Sequence, residues 1–86
     1  MTRAQAIKLA DAVVLVAREV ATDKVKWTTV EFAAVKVANK LRRSEGEVVQ
    51  SIMDNSMSVN AALPMGWRLR FLRSTATSTL CVSRPT

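Results

Sequence analysis

The sequence predicts a small α+β fold that is mainly helical, with three helices followed by a C-terminal β-hairpin. Apolar residues recur at helical spacing over residues 3–22, two capping signals each precede a further helical pattern, and apolar and basic residues alternate strictly from residue 67. We therefore expect helices over about 3–22, 29–41 and 45–55 and a hairpin over about 67–84. Together they form a single domain spanning residues 1–86.

The composition favours a compact fold with a thin core. Hydrophobic residues make up 49% of the 86 residues, with only 2 Gly and 2 Pro, which argues for helix and against disorder. A domain of this size buries only about 60–65% of the surface that its unfolded chain exposes. Because many of the hydrophobic residues are Ala and Val, the elements must pack closely or share a core with a second subunit.

Charge and cysteine content restrict the partners. A net charge of +6 and a pI of about 10.5 favour nucleic acid, an anionic membrane surface or an acidic protein. Cys81 is the single cysteine and the chain has no His, so we expect no internal disulfide, no zinc site and no cofactor. The apolar run at residues 13–17 is far shorter than the roughly 20 residues that cross a bilayer. We predict a cytoplasmic protein that does not enter a membrane.

The first predicted helix is amphipathic, with Thr2 as a candidate N-cap. Its apolar face contains Ala6, Leu9, Ala10, Val13, Val16, Ala17 and Val20. Leu15 departs from this pattern because its spacing from Asp11 and Arg18 places it on the polar side. Leu15 is either a single exposed leucine or part of an interface through which this helix meets a second copy of the chain.

The second predicted helix begins at a capping box. Thr28 and Glu31 have the Thr-x-x-Glu spacing in which each side chain caps the other residue's backbone N–H, and Trp27 and Phe32 flank them as a hydrophobic staple. We interpret Trp27 as a core anchor rather than as a base-stacking residue. The charged residues 23–26 interrupt the apolar pattern and predict a turn before this helix.

The third predicted helix follows after a very short turn. The second helix ends near Leu41, and Ser44 and Glu47 form another capping box three residues later. Val48 and Ile52 are expected to face the core. Two capped helices joined in this way must fold back sharply, which is a helix-turn-helix pattern.

This stretch resembles the framework of bacterial helix-turn-helix regulators. That framework has a small residue where the helices touch, a leucine ending the first helix, a serine capping the second and two aliphatic residues docking it. The matching residues are Ala38, Leu41, Ser44, Val48 and Ile52. Such families usually have Gly and then an aliphatic residue in the turn, where this chain has Arg42 and Arg43. If the turn needs a left-handed backbone at Arg42, a residue other than Gly costs roughly 1 kcal/mol there, which is tolerable. We expect Arg43 to lay its stem on the core and to keep its charged group in solvent.

The C-terminal third is predicted to be a connector followed by the hairpin. Met57, Val59, Leu63 and Met65 lie in a connector that we expect to be irregular and to plug the core. In the first strand Trp67, Leu69 and Phe71 share one face and Arg68 and Arg70 share the other, while Leu80 and Val82 point inward from the second strand. Residues 74–77 would form the turn. A hairpin directly after a helix-turn-helix resembles the wing of a winged-helix domain.

The predicted site combines basic residues of the turn and hairpin with polar residues of the third helix. The candidate DNA-binding residues are Lys40, Arg42, Arg43, Ser44, Glu47, Gln50, Ser51, Asn55, Arg68, Arg70 and Arg73. The basic residues either only solvate the surface or bind DNA. In the second case Arg68, Arg70 and Arg73 would hold phosphates or enter the minor groove, and Lys40, Arg42 and Arg43 would bind the backbone beside the turn. The polar residues Gln50, Ser51, Asn55 and Glu47 would contact base edges. However, Glu45, Glu47 and Asp54 make this helix acidic, with no basic residue on it. That face repels phosphates and is a candidate docking surface for a protein partner.

The sequence is consistent with two classes of function. The first is a small DNA-binding transcription regulator, expected to act as a dimer on duplex DNA. The alternative is a winged-helix protein-interaction module or inhibitor that docks on RNA polymerase or another large assembly. We do not expect an enzyme, since the chain lacks His, Tyr and a Gly-rich phosphate loop, and Cys81 is expected to be a small side chain in a strand.

Overall fold

A computed structural model of the chain describes residues 1–21, 28–73 and 78–85. Within these ranges it contains four helices and three strands. In chain order they are α1 (Arg3–Val20), β1 (Thr29–Ala33), α2 (Ala34–Leu41), α3 (Glu45–Asp54), α4 (Ser56–Ala62), β2 (Arg68–Arg73) and β3 (Ser78–Ser83). The turns predicted at residues 23–26 and 74–77 and the core anchor predicted at Trp27 lie outside the described residues.

The three strands form one antiparallel sheet with β3 in the centre, in the order β1-β3-β2. The predicted hairpin is confirmed, with Leu69 opposite Val82 and Phe71 opposite Leu80. The mainly helical α+β class is confirmed as well. The helices pack against one face of this sheet, and the opposite face is the outer face of the molecule.

The core lies between the helices and the inner face of the sheet. Its sheet side includes Phe32, Leu69, Leu80 and Val82, all of which are buried. Its helical side is formed by small and β-branched residues. The largest fully buried ones there are Val13, Val16, Val37, Val48 and Val59. The helices therefore pack closely on Ala and Val side chains, in place of the large side chains that a larger core would contain.

Residues 29–33 form a strand, so the prediction of a helix starting at Thr28 is wrong. Val30 and Phe32 pair in register with Val82 and Leu80, and the backbone carbonyl of Thr28 accepts a hydrogen bond from Arg84. The segment TTVEF alternates and is rich in β-branched and aromatic residues, which suits a half-buried strand. Burying Phe32 against β3 outweighs the capping pattern. Helix α2 consequently begins at Ala34 without a side-chain cap.

The other two helix starts follow their local signals. Thr2 caps α1 in a full capping box with Gln5. The Ser44 hydroxyl accepts the backbone N–H of Glu47 and caps α3. Both residues were predicted as caps, and both predictions are confirmed. Helix α1 ends at Val20, slightly before the predicted limit of residue 22.

The segment after α3 contains a short helix, α4, where an irregular connector was expected. Val59 and Leu63 fill the core as predicted. The same prediction is wrong for Met57 and Met65, which are 88% and 96% exposed. Since α4 is helical, only one side of it can face the core, and Val59 occupies that side.

Candidate nucleic-acid interface

The turn between α2 and α3 presents two exposed arginines. Arg42 has φ 56 and ψ 44, the left-handed conformation that ends many helices, and its N–H points back to Ala38 and Asn39. The N–H of Arg43 also bonds the Ala38 carbonyl, at 3.0 Å. The turn thus does use a left-handed backbone at Arg42. Neither guanidinium forms an ion pair with another described residue.

Arg43 borders a cavity between the start of α1 and α3. The cavity measures about 280 Å³ and its apolar wall includes Leu9, Leu41 and Val48. Lys8 lines the same cavity, which brings a second cation near the turn. Lys8 is not among the predicted site residues, because nothing in the spacing of α1 indicates which helix lies beside it.

Lys40, the third cation predicted beside the turn, is held by α1. Its ammonium lies 2.5 Å from a carboxylate oxygen of Glu19, and the two side chains are 40% and 56% exposed. An ion pair this exposed contributes only about 0–1 kcal/mol and weakens with salt. Lys40 can therefore reach a phosphate at small cost, but it must leave Glu19 to do so.

The first turn of α3 uses its polar side chains for capping. The Ser44 hydroxyl accepts the Glu47 N–H and donates to the Glu47 carboxylate, both at 3.2 Å. Glu45 and Glu47 also suit the positive end of the helix dipole. Ser44 and Glu47 are thus brought together as predicted, and their hydrogen bonds serve the helix rather than a base.

Two of the residues predicted to read bases, Gln50 and Asn55, use their side-chain amides in hydrogen bonds at the C-terminal end of α3. The Gln50 amide donates to both carboxylate oxygens of Asp54 at 2.9 Å. The Asn55 amide donates to the Ser51 carbonyl at 3.0 Å, and both of these residues are half-buried. Hydrogen bonds to base edges would have to replace these contacts. These hydrogen bonds stabilise the helix, and they leave its polar side chains less available to contact DNA bases.

Arg68 and Arg70 lie on the outer face of the sheet. Their neighbours Leu69 and Phe71 face the core, and both arginines are exposed. The register places Arg68 opposite Ser83 and Arg70 opposite Cys81, with Glu31 on the far side of Cys81. Cys81 is only 3% exposed in this row. Arg73 ends β2 opposite Ser78.

The basic residues consequently form two groups in different layers of the molecule. We call Lys40, Arg42 and Arg43 the turn cluster, and Arg68 and Arg70 the outer-sheet cluster. The turn cluster belongs to the helical layer, while the outer-sheet cluster projects from the sheet face that the helices do not cover. Among the described residues, the turn cluster and the outer-sheet cluster do not form one continuous basic surface.

Exposed apolar side chains lie along α1 and beside α4. Leu15, the predicted interface residue, is 53% exposed, and Ile7 on the same helix is 41% exposed. Met57 and Met65 border a groove beside α4, together with Trp67 and Arg68. Arg18 stacks over the Trp67 ring at 5.7 Å from its centroid, which links α1 to the start of β2.

Within the described residues, no group of three or more His, Cys, Asp or Glu side chains is arranged to hold a metal ion. No helix in these ranges has the length and apolar content needed to cross a membrane. Comparison of the chain with protein-family models, curated proteins and solved structures found no match.

Proposed function

We propose that the chain is a winged-helix domain that binds duplex DNA and regulates transcription. The observation that carries this proposal is the order of elements combined with the strand pairing. A strand precedes the two helices joined by the turn, and it pairs with the second strand of the hairpin that follows them. A winged helix has this arrangement, with α4 as an addition between α3 and β2.

The turn cluster supplies the phosphate contacts of this interface. Arg42 and Arg43 are exposed at a sharp corner, and the left-handed backbone at Arg42 sets their position relative to α3. Arginine donates to phosphate in a bidentate manner, and such contacts position a protein on a duplex without reading sequence. The net charge of +6 adds long-range attraction.

Sequence recognition by α3 is weak in this proposal. Asp54 holds the Gln50 amide, Asn55 is bonded to the Ser51 carbonyl, and the helix carries no basic side chain. Most of the affinity therefore comes from phosphates. Binding should be steeply salt-dependent, since each neutralised phosphate contributes a slope of about −0.9 in log K against log salt.

The experiment is a salt series on a random duplex, monitored by fluorescence anisotropy. The parent is compared with Arg42→Ala/Arg43→Ala and with Arg68→Ala/Arg70→Ala. The first pair should reduce the salt slope by about 2, because two phosphate contacts are lost. Arg3→Ala/Lys36→Ala is the matched control, since it removes two exposed cations from the first turns of α1 and α2.

Three outcomes are informative. Loss of binding in the turn variant but not in the control supports the proposal. Equal losses in the turn variant and in the control would mean that net charge alone is responsible. A parent that does not bind duplex DNA at low salt would overturn the proposal.

The second candidate is a protein-interaction module that docks on RNA polymerase or another large assembly. The observation that favours it is the surface of α3, where Glu45, Glu47 and Asp54 are exposed beside Met53, which is 46% exposed. An acidic helix surface that also exposes an apolar side chain suits a basic protein surface better than a phosphate backbone. If the parent fails to bind DNA, crosslinking through Met53→Cys in cell extract, with Cys81→Ala to remove the native thiol, would test this surface.

A further inference from the structure

One side of α1 is exposed yet carries apolar residues along most of its length. These residues recur every three or four positions, so they form a stripe opposite the buried side of the helix. The stripe consists of Ala4, Ile7, Asp11, Val14, Leu15 and Arg18. Two of its members, Ile7 and Leu15, are the large residues that are 41% and 53% exposed.

The two charges of the stripe are placed symmetrically. Asp11 and Arg18 lie four residues before Leu15 and four residues after Val14, so the midpoint between the two charges falls between Val14 and Leu15. Two copies of α1 that cross antiparallel at this midpoint place Asp11 of each copy opposite the partner's Arg18. A parallel arrangement would instead place like charges side by side.

The surroundings of both charges fit such a pairing. Asp11 is exposed and forms no ion pair with another described residue. Arg18 lies over the Trp67 ring, which restricts its side chain, and it is exposed and forms no ion pair with another described residue. Leu15 would then pack across the midpoint against the partner's Val14 and Leu15.

We propose that α1 is a homodimer interface, in which two copies pair antiparallel through this stripe with reciprocal Asp11–Arg18 ion pairs. A twofold axis requires a self-complementary patch, and the part of the stripe from Asp11 to Arg18 has that property. In this crossing the two copies of α1 overlap over residues 9–20, about 18 Å, so the interface is small and the dimer weak. This dimer forms whether or not the chain binds DNA.

Charge exchange tests the proposal. Asp11→Arg and Arg18→Asp are each studied by sedimentation equilibrium, at concentrations from about 10 µM to about 1 mM, where so small an interface should dissociate. Each single variant should raise the dimer dissociation constant at least about tenfold, because like charges then meet twice. A 1:1 mixture of the two variants should dimerise again, since every pair across the interface is then of opposite charge.

Two further variants complete the design. Asp11→Arg/Arg18→Asp should dimerise like the parent, and Lys36→Asp, a charge reversal away from the stripe, should leave dimerisation unchanged. Circular dichroism confirms that each variant is folded. A parent that remains monomeric at about 1 mM, a dimer that persists in both single variants, or a mixture that stays monomeric would each overturn the inference.

Discussion

The side-chain amide of Asn60 binds both backbone polar groups of Leu69. Its oxygen accepts the Leu69 N–H at 2.8 Å and its nitrogen donates to the Leu69 carbonyl at 3.3 Å. Because β2 is an edge strand, these bonds take the place of a neighbouring strand at that position. A third bond, from the same nitrogen to the Ser56 carbonyl at 2.9 Å, links Asn60 to the start of α4.

Replacing Asn60 by Ala should lower the free energy of unfolding by about 1–3 kcal/mol, since partly buried backbone groups of Leu69 lose their partners. Urea denaturation measures the change. Ser58→Ala, an exposed position on the same helix, is the control and should shift stability by less than about 0.5 kcal/mol. Equal effects in the two variants would show that the amide does not hold the strand.

Replacing Arg42 by Gly should raise the free energy of unfolding by about 0.5–1 kcal/mol. A left-handed backbone is costly for any residue with a Cβ, and Gly avoids that cost. Arg43→Gly is the matched control because Arg43 does not have a positive φ; it should lower stability through the greater entropy of the unfolded chain. A loss of stability in both variants would contradict the turn geometry.

The two glycines should respond to Ala in opposite directions. Gly66 has φ +84, and a Cβ there would lie 2.7 Å from the ring of Pro85, so Gly66→Ala should cost at least about 1 kcal/mol. A Cβ at Gly46 meets nothing within 4 Å, and Gly46→Ala should stabilise α3 by about 0.5–1 kcal/mol. Thermal unfolding compares them directly. The same sign of change in both variants would be inconsistent with the structure.

Removing the Asp54 carboxylate should strengthen binding to random duplex DNA. Asp54→Ala eliminates a repulsive charge on α3 and releases the Gln50 amide, so affinity should rise a few-fold at low salt. Anisotropy titrations at two salt concentrations measure it. The gain should shrink at high salt, as a charge effect does. An unchanged affinity at low salt would place α3 away from the DNA and favour the protein-docking alternative.

Several local features could be predicted because their causes lie within a few residues of one another. Thr2 and Ser44 cap α1 and α3 through bonds that span three residues, and Leu69 and Leu80 are inward because strand side chains alternate. The four-residue spacing of Gln50 and Asp54 also indicates their hydrogen bond, which was not among the predictions.

The remaining features depend on segments far apart in the chain. Residues 29–33 carry both a capping pattern and a strand pattern. They form a strand because they pair with β3, about fifty residues later, which buries Phe32 against Leu80. The Glu19–Lys40 pair and the position of Lys8 beside Arg43 likewise need the packing of separate helices.

The helix-turn-helix pattern, its capped third helix and its basic turn could thus be read from neighbouring residues. The strand that precedes the pattern, and the separation of the basic residues into two layers, could not. The physical reason is that local signals select a conformation only when no distant partner competes. Here the apolar burial that residues 29–33 gain by pairing with β3 stabilises the strand more than a helix cap would stabilise a helix.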